Sequence, residues 1–439
     1  MSSRVFCGPF EAETFWRPSC LAVLPSLPDP AASHVIQAMD ELLFALCSPQ
    51  DRVLTTRRMN DSHVEYLNAI GFQFERNRFD LVPALRARGR SNPYESLEER
   101  DIDGQLTDFL SVADELEPFA VVSGIAGVAQ RYGLCSTFPA EDAVQRINTK
   151  SYCLEVREVV GIGNVGLLVD SVEALLREGT ALLVSGPFLI KDDYGVSGKG
   201  NQIITQQGSL ERIAQYLSGQ VQQGKHVRFV LEPYLAKKLD FSCQFQVGKD
   251  GSFHLISVQH LVNDGLAFGM STSPGADLLA KLESEEYFRQ MEEIGKKLYA
   301  DGYFGHVCVD SMWLQDGSLI PLVEINARRS MSLIKHAMDQ HLAREGKTGS
   351  LTSIAAAHDG SIGFTDLLHA LRQSGLLFEA GQGAGIIPLT SGTLFPESSQ
   401  GKVRGRLYVE VVYEAVEQRS ALLADLTTAM QQSGFQVRV

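Results

Sequence analysis

The sequence predicts a protein of mixed α/β and α+β class, with an N-terminal α/β domain, a middle subdomain, an antiparallel core and an extra C-terminal region. Two observations carry this prediction. Short strand-like and helix-like segments alternate over about the first 115 residues, as they do in α/β domains. A series of strand-like segments between residues 227 and 325 is flanked by helices, and the short turn Gln315–Ser318 joins its last two strands, which is typical of antiparallel pairing.

Composition restricts the class of protein and its partners. A length of 439 residues suggests about two to four domains. Hydrophobic residues make up 44% of the chain and charged residues 21%, which is the balance of a folded globular protein rather than a disordered one. The formal net charge of −14 disfavours nucleic acid and anionic membrane surfaces as partners.

Cysteine usage and hydropathy indicate the compartment. The seven cysteines are an odd number without a C-x-x-C pair, which favours reduced thiols and argues against a zinc site or a disulfide scaffold. No apolar run approaches the roughly 18–20 residues that span a bilayer, and the first residues lack the pattern of a secretory signal. We therefore expect a cytoplasmic protein with no membrane partner.

The N-terminal elements follow from hydrophobic periodicity. Helical spacing predicts helices at Ala31–Cys47 and Asp61–Ile70, and short apolar runs predict strands at Asp51–Thr55 and Phe119–Ser123. The charged and polar stretch Arg86–Asp103 is predicted to be an exposed loop.

The middle of the chain contains helices around a mainly antiparallel series of strands. The predicted helices are Asn148–Val160, Ser171–Glu178 (ended by Gly179), Ser209–Leu217 and Asp277–Ala300. The predicted strands are Phe188–Lys191, Gln202–Thr205, Val227–Glu232, Phe241–Val247, Phe253–His260, Gly305–Leu314 and Leu319–Ile325. In the last 100 residues we predict a helix at Phe364–Ser374, a strand at Arg406–Val412, and a helix at Ala421–Ser433 with Ser420 as its N-cap.

Three glycine-rich segments differ in their value as motifs. Gly161–Gly166 matches G-x-G-x-x-G, but a helix-like segment precedes it and a strand-like one follows, the reverse of a dinucleotide site. Gly195–Gly200 is not a Walker A motif, yet its small residues, including Ser197 and Gly198, could approach phosphate oxygens. The alternative is a flexible hairpin tip. Gly381–Gly385 is interpreted as a structural turn or a mobile lid.

The strongest signal is a predicted hairpin that carries oxygen ligands. Asp310 lies on its first strand, and Glu324 and Asn326 share one face of the second strand because they are two residues apart. Carboxylate and amide oxygens suit Mg²⁺. Arg328 continues that face, where its guanidinium could bind phosphate or a substrate carboxylate. The alternative is a half-solvated hairpin with its polar residues outward.

Further residues complete a candidate nucleotide site. Lys191 ends an apolar strand before the glycine-rich loop and Lys150 opens a helix, so both ammonium groups could approach phosphates. The segment at the end of the strand Val227–Glu232, with Glu232, Tyr234 and Leu235, could present backbone groups to an adenine edge. Asp240 could accept a hydrogen bond from a ribose hydroxyl.

In this order the segments resemble the ATP-grasp enzymes over about Asp142–Ser332. Lys150, the stretch FLIKDDYGVSGKG (188–200), the hinge 231–235, and Asp310 with the sequence EINAR (324–328) match the family pattern. The sequences GVSGKGN and EINARRS are most similar to peptide and amino-acid ligases of natural-product pathways, including pheganomycin-type peptide ligases and an acyl-carrier-protein-charging relative. The sequence departs from the pattern in two places. Where some family members have an arginine before the first metal carboxylate, this chain has Val307–Val309 with Cys308, and His306 is the nearest polar neighbour. Asp240 stands where a glutamate is often found near the ribose.

The resemblance implies an ATP-grasp fold. Its parts would be an N-terminal α/β (pre-ATP-grasp-like) domain at 1–125, a lid subdomain at 126–235, a metal and phosphate core at 236–345, and a C-terminal accessory region at 346–439.

The resemblance also implies a ligase mechanism. A substrate carboxylate would attack the γ-phosphate of ATP to give an acylphosphate, which an amine then displaces. Asp310, Glu324 and Asn326 would bind two Mg²⁺ ions, for which Mn²⁺ can substitute. Arg328 and Lys191 would be catalytic, with Lys150 also on the phosphates.

Alternatives remain open at this stage. The acyl group could pass to the thiol of a carrier protein instead of an amine, and the scaffold could belong to a non-catalytic nucleotide-binding protein or a small-molecule kinase. The expected partners are small carboxylate and amine substrates and, in the variant, a carrier protein; a homodimer is compatible with the sequence.

Overall fold

The computed structural model describes residues 2–26, 29–81, 92, 94–95, 97, 104–196, 199–265, 267–395 and 403–437, and the elements below belong to these residues. They form a parallel N-terminal sheet, a small antiparallel sheet and a long antiparallel sheet. The predicted class, mixed α/β and α+β with an N-terminal α/β domain and an antiparallel core, is confirmed. The domain boundaries at 125, 235 and 345 stay predictions.

The N-terminal sheet has the strand order β3-β2-β1-β4, and all of its pairs are parallel. Its strands are β1 (Arg4–Cys7), β2 (Arg52–Leu54), β3 (Glu75–Arg76) and β4 (Glu115–Pro118). The helices around it are α1 (Ala12–Trp16), α2 (Pro30–Gln37), a 3₁₀ helix (Ala38–Leu46), α3 (Asp61–Ala69), α4 (Gln105–Leu110) and α5 (Ile125–Arg131). Apolar side chains on both faces of β1, such as Val5 and Phe6, are buried, as expected for a parallel sheet covered by helices.

Two N-terminal expectations were wrong. The run Phe119–Ser123 is not a strand: β4 ends at Pro118, and the Phe119 ring stacks on Phe10 with 3.9 Å between ring centroids. A short apolar run is buried in either case, so periodicity alone could not separate a strand from a buried turn. The helix expected at Ala31–Cys47 is α2 followed by the 3₁₀ helix. Most of the predicted loop at 86–103 lies outside the described residues.

The small antiparallel sheet has the order β5-β8-β6-β7. Its strands are β5 (Leu167–Val169), β6 (Phe188–Val196), β7 (Lys199–Ile204) and β8 (Phe229–Pro233). Two helices precede it, α6 (Glu141–Ile147) and α7 (Lys150–Val160), and two pack on it, α8 (Val172–Ser185) and α9 (Gln207–Gln222). The sequence predicts that this helix ends at Gly179. In the structure α8 continues through Gly179 to Ser185. A Cβ there would come within 2.9 Å of Leu210 and 3.0 Å of Phe188, so this glycine serves close packing.

A strap of the N-terminal chain, residues 17–26, lies on this small sheet. Ala22 and Leu24 are buried in its hydrophobic core, and Ala22 N–H donates to the His226 carbonyl at 2.8 Å. Gln220 donates to the Val23 carbonyl at 2.8 Å. Arg17, directly after α1, donates to Asp192 of β6 at 3.0 Å. The N-terminal domain is thus tied to the small sheet by hydrogen bonds, an ion pair and apolar burial.

Removing the ion pair of the strap should loosen the small sheet. We expect Arg17→Ala to speed amide hydrogen exchange in β6 by about 10-fold or more, because a charge-assisted hydrogen bond contributes about 1.5–3 kcal/mol. Hydrogen exchange read by mass spectrometry measures this. The control is Arg177→Ala on α8, an exposed side chain whose ion pair is with its neighbour Glu178. Equal exchange in the two variants would contradict the strap's role.

The long sheet has the order β13-β12-β9-β10-β11-β14-β16-β15, with β17 beside β14, and all its pairs are antiparallel. Its strands are β9 (Lys237–Val247), β10 (Phe253–Asp264), β11 (Ala267–Thr272), β12 (Gly305–Leu314), β13 (Leu319–Asn326), β14 (Thr348–His358), β15 (Gly385–Pro388), β16 (Val403–Tyr413) and β17 (Gln436–Val437). The associated helices are α10 (Ala276–Ser284), α11 (Tyr287–Ala300), α12 (Met331–Ala343), α13 (Phe364–Gln373) and α14 (Gln418–Gln432). Through β14–β17, the last part of the chain extends the same sheet.

Several local expectations in this region need correction. The single helix expected at Asp277–Ala300 is broken into α10 and α11 at Glu286, whose φ of 53° cannot continue a helix. The final helix begins at Gln418, so Ser420 lies inside it and is not its N-cap. Strands β11, β14, β15 and β17 were not predicted. None of the described helices has the length and apolar character needed to cross a membrane.

The two faces of the long sheet differ in chemistry. Phe241, Phe245 and Val309 point to the face covered by α11, where the Phe241 and Tyr287 rings lie 5.4 Å apart. Because side chains alternate along a strand, the opposite face carries the polar residues of β9, β10 and β12. Cross-strand pairing there sets Asp310 beside Ser242. We call this face the polar floor, and its members on these strands are His306, Cys308 and Asp310, Gln246, Gln244 and Ser242, and His254, Ser257 and Gln259.

Helix α12 lies over part of the polar floor. Its Ser332 hydroxyl is 2.8 Å from that of Ser242, and its Lys335 is fully buried, in an ion pair with Asp339 and 3.4 Å from Glu410 of β16. Burial raises the pKa of Glu410 to about 8. This cluster connects the C-terminal strands to the core beneath α12.

Glu410 should make stability pH-dependent. Its pKa in the folded protein is above the usual value of 4.5, so its contribution is full below about pH 4.5 and is lost as pH rises to about 8. We expect Glu410→Gln to reduce the fall in melting temperature between pH 5 and pH 8. The melting temperature of this variant will still fall somewhat with pH, because burial raises the pKa values of Asp40, Glu41 and Asp310 to about 7. Thermal melts between pH 5 and pH 8 test this prediction, with Glu414→Gln at an exposed position as the control. An equal fall in melting temperature with pH in the two variants would contradict it.

Candidate active site

The predicted hairpin brings the three oxygen-bearing residues together. Strands β12 and β13 are antiparallel neighbours, and Asp310 pairs directly with Glu324 across them. The Asn326 amide donates to Asp310 Oδ2 at 3.1 Å. All three lie on the polar floor, because they alternate with Val309 and Ile325, which are buried on the other side.

The charge at this hairpin fits a divalent cation. Burial and the neighbouring Glu324 charge raise the pKa of Asp310 to about 7, and the positive charge of Arg328 only partly offsets this rise. Among the described residues, no group of three or more His, Cys, Asp and Glu side chains is arranged for a metal. The set here is two carboxylates and one amide, which suits Mg²⁺ because that ion keeps several waters and takes few protein ligands.

Lys150 lies directly against the hairpin. It is the first residue of α7, whose N-cap Thr149 accepts from Tyr152 N–H. Its ammonium is buried and donates to Glu324 Oε1 at 2.9 Å and to the Gly195 carbonyl at 2.7 Å. Burial opposes its charge, but the Glu324 carboxylate outweighs this effect and raises the pKa of Lys150. Lys150 therefore stays protonated and joins the hairpin to the end of β6.

Lys191 belongs to a second buried cluster. Its ammonium is hydrogen-bonded to Glu232 at the end of β8, and the Arg157 guanidinium donates to the other oxygen of Glu232 at 3.2 Å. Burial works against ionisation of Glu232, but Lys191 and Arg157 together lower its pKa. The side chain of Glu232 thus positions Lys191. Sequence reasoning missed Arg157, whose only signal was its place on the helix that Lys150 opens.

The predicted adenine and ribose contacts are less available than expected. The Tyr234 N–H donates to the Pro187 carbonyl at 2.9 Å, so it does not point to a free acceptor site; the Tyr234 side chain is exposed. Leu235 follows directly, outside the strand. Asp240 already accepts from Lys237 at 2.5 Å and from Asn263 at 2.6 Å, so a ribose hydroxyl would have to share or replace these contacts.

Arg328 is held by the N-terminal domain. Its guanidinium is 2.6 Å from Glu13 of α1, donates to Asn326 Oδ1 at 3.0 Å, and lies 5.5 Å from the centre of the Phe119 ring. Arg328 therefore faces the hairpin, as the sequence predicts. Its guanidinium is already paired with Glu13, which the sequence did not predict. Glu13 was missed because it lies 315 positions away and belongs to no motif.

The structure describes the glycine-rich segments only in part. Ser197 and Gly198, predicted to bind phosphate, lie outside the described residues; Gly195 is within them and contacts Lys150. Gly161 ends α7 with a φ of 74°, and no helix opens from the G-x-G-x-x-G segment. A Cβ at Gly166 would lie 2.8 Å from Glu232, so its role is to let β5 approach β8.

The three sheets and this cluster of lysines, carboxylates and arginine define the class of fold. The chain has the ATP-grasp fold. No protein-family profile matches it. It is 24% identical over 310 residues to the butirosin acyl-carrier protein–L-glutamate ligase of Niallia circulans, a match that covers 69% of this chain and 67% of that protein.

Solved structures of low sequence identity share the fold. The ADP complex of an N5-carboxyaminoimidazole ribonucleotide synthetase aligns with a TM-score of 0.57 and 12% identity, covering 98% of this chain and 97% of that one. The biotin carboxylase domain of 2-oxoglutarate carboxylase from Hydrogenobacter thermophilus, solved with MgADP, aligns with a TM-score of 0.54 and 15% identity, covering 100% and 92%. At these identities the likeness establishes the fold.

Proposed function

We propose that this chain is an ATP-dependent carboxylate–amine ligase that forms a carbon–nitrogen bond through an acylphosphate. The observation that carries the proposal is the meeting of Lys150, Asp310, Glu324, Asn326 and Arg328 at one end of the polar floor. Oxygen ligands beside fixed cations are what phosphoryl transfer requires, because catalysis there is mainly positioning and charge stabilisation.

Each residue has a role in the proposed reaction. Asp310, Glu324 and Asn326 would hold Mg²⁺, which when bound neutralises phosphate charge. Lys150 and Lys191 hold the phosphates, and Arg328 faces the transferring phosphoryl group or the substrate carboxylate. The carboxylate oxygen attacks the γ-phosphorus and ADP leaves; the amine nitrogen then attacks the acyl carbon and phosphate leaves.

A variant with the same first half-reaction is transfer to the thiol of a carrier protein. What favours it is the relative from Niallia circulans, whose name gives an acyl-carrier protein and L-glutamate as its substrates. L-glutamate is therefore the first acid to test, and a natural-product pathway is the setting that both variants suit.

The test is ADP release from ATP and Mg²⁺ with a panel of amino acids and small acids, with hydroxylamine added to trap an activated acyl group. A hydroxamate supports the ligase; subsequent addition of amines or of a phosphopantetheinylated carrier protein separates the two variants. A stable phosphorylated product without hydroxamate would identify a kinase. ATP binding without turnover for any acid would indicate a non-catalytic nucleotide-binding protein.

A further inference from the structure

Asp193, near the end of β6, is a fully buried carboxylate without a role in the proposed reaction. Its Oδ1 accepts from the Ser151 backbone N–H at 2.7 Å, and its Oδ2 accepts from the Ser151 hydroxyl at 3.0 Å and from Arg228 Nε at 2.6 Å. The Arg228 guanidinium also donates to the Ser151 hydroxyl at 2.8 Å. Three segments therefore meet at this one carboxylate: β6, the start of α7, and the residue before β8.

The contact with Ser151 closes the first turn of α7. The first N–H groups of a helix have no partner within the helix and carry partial positive charge, so an anionic acceptor stabilises that turn. Thr149, the N-cap, accepts from the Tyr152 N–H at 3.1 Å, and Asp193 accepts from the Ser151 N–H. Because the second acceptor comes from β6 and not from the helix's own chain, it fixes the start of α7 to that strand.

Both lysines that are proposed to bind phosphates lie close to this contact. Lys150 directly precedes Ser151, and its ammonium donates to Glu324 of the hairpin at 2.9 Å. Lys191 lies two residues before Asp193, so the two side chains point to the same side of β6. Asp193 therefore belongs to the strand that carries one lysine and holds the helical turn that carries the other.

We propose that Asp193 is a positioning residue for phosphate binding: it fixes the spacing of the Lys150 and Lys191 ammonium groups so that both reach the phosphates of ATP. The proposal rests on the proposed function and adds the group that sets the geometry of its two lysines. Asp193 itself contacts no substrate. Its effect is expected to be large, because a displacement of about 1 Å in such a group can lower a rate about 100-fold.

The test is equilibrium binding of ATP and of adenosine to Asp193→Asn, both with Mg²⁺, adenosine being measured by competition with a fluorescent ATP analogue. Asparagine keeps the volume and can accept from the Ser151 N–H, but its amide N–H groups would face the Arg228 guanidinium, so the start of α7 would shift. We expect the affinity for ATP to fall about 10-fold or more and the affinity for adenosine to change less than about twofold, because adenosine has no phosphates. A merely structural role would change both affinities alike.

A second variant keeps the test decisive if Asp193→Asn does not fold. Arg228→Met removes a half-exposed partner of Asp193 and leaves the Ser151 N–H contact in place. We expect it to lower the affinity for ATP by about threefold, in line with the small contribution of a partly exposed ion pair, and to leave the affinity for adenosine unchanged.

The matched control is Asp51→Asn in the N-terminal sheet. Asp51 is buried to the same degree, accepts from the Arg4 guanidinium at 2.6 Å, and accepts from the backbone N–H groups of Arg4 and Ser48. Its replacement should lower the free energy of unfolding as that of Asp193 does. The ratio of the ATP and adenosine affinities should stay at the wild-type value, because these partners of Asp51 lie in the N-terminal domain.

An unchanged affinity of Asp193→Asn for ATP would overturn the proposal, as would equal losses for ATP and adenosine. ADP release with acids is measured separately. If the affinity for ATP depends on Asp193 but no acid supports ADP release, the proposed ligase reaction fails and the positioning role stands. If acids are activated and Asp193→Asn binds ATP like the wild type, the ligase stands and the positioning role fails. A wild type that does not bind ATP would overturn both.

Discussion

Replacing Glu324 with Gln should lower the rate of acid-dependent ADP release by about 100-fold or more. Glu324 faces Asp310 across the hairpin and holds the Lys150 ammonium at 2.9 Å, so the substitution keeps the shape of the site but removes half of its negative charge. An ion that neutralises phosphate charge would bind more weakly, and Lys150 would lose its anchor. The measurement is ADP release as a function of Mg²⁺ concentration.

The matched control is Glu292→Gln on α11, an exposed carboxylate that pairs with Lys296 on the same helix. It should leave the rate unchanged. A Glu324→Gln rate within twofold of the wild type at every Mg²⁺ concentration would mean that the hairpin does not hold the ion.

Replacing Arg157 with Met should lower the free energy of unfolding by about 3–5 kcal/mol, the usual cost of breaking a buried ion pair. The Arg157 side chain is 1% exposed and donates to the Leu322 carbonyl at 2.7 Å and to Glu232 at 3.2 Å. Methionine fills the volume but leaves that carbonyl without its donor and Glu232 with Lys191 alone. Urea unfolding measures the change.

Two substitutions calibrate this result. Arg157→Lys keeps the positive charge, but a single ammonium group cannot bond both the Leu322 carbonyl and Glu232 as the planar guanidinium does. We therefore expect a loss of unfolding free energy between those of the wild type and Arg157→Met. Arg146→Met removes a half-exposed arginine paired with Glu155 and should cost about 1 kcal/mol or less. If Arg157→Met were no more destabilising than Arg146→Met, the buried cluster would not stabilise the hinge.

Local sequence predicted the β12–β13 hairpin well, because its geometry depends on short-range rules. A short turn pairs β12 with β13, and the two-residue period then puts Glu324 and Asn326 on one face. Helix and strand limits were less predictable where packing decides them. Gly179 is tolerated inside α8 because Leu210 and Phe188 need the space, and the break at Glu286 has no glycine or proline to announce it.

The sequence by itself determined the class of fold, the order of the candidate site elements and the placement of Glu324 and Asn326 on one strand face. Only the tertiary structure decided that Glu13 holds Arg328, that Arg157 and Lys191 share Glu232, and that residues 17–26 tie the N-terminal domain to the small sheet. The physical reason is range. Periodicity and turn chemistry act over a few residues, whereas the partner of a buried charge is chosen by whichever distant segment the packing of the sheets brings within hydrogen-bonding distance.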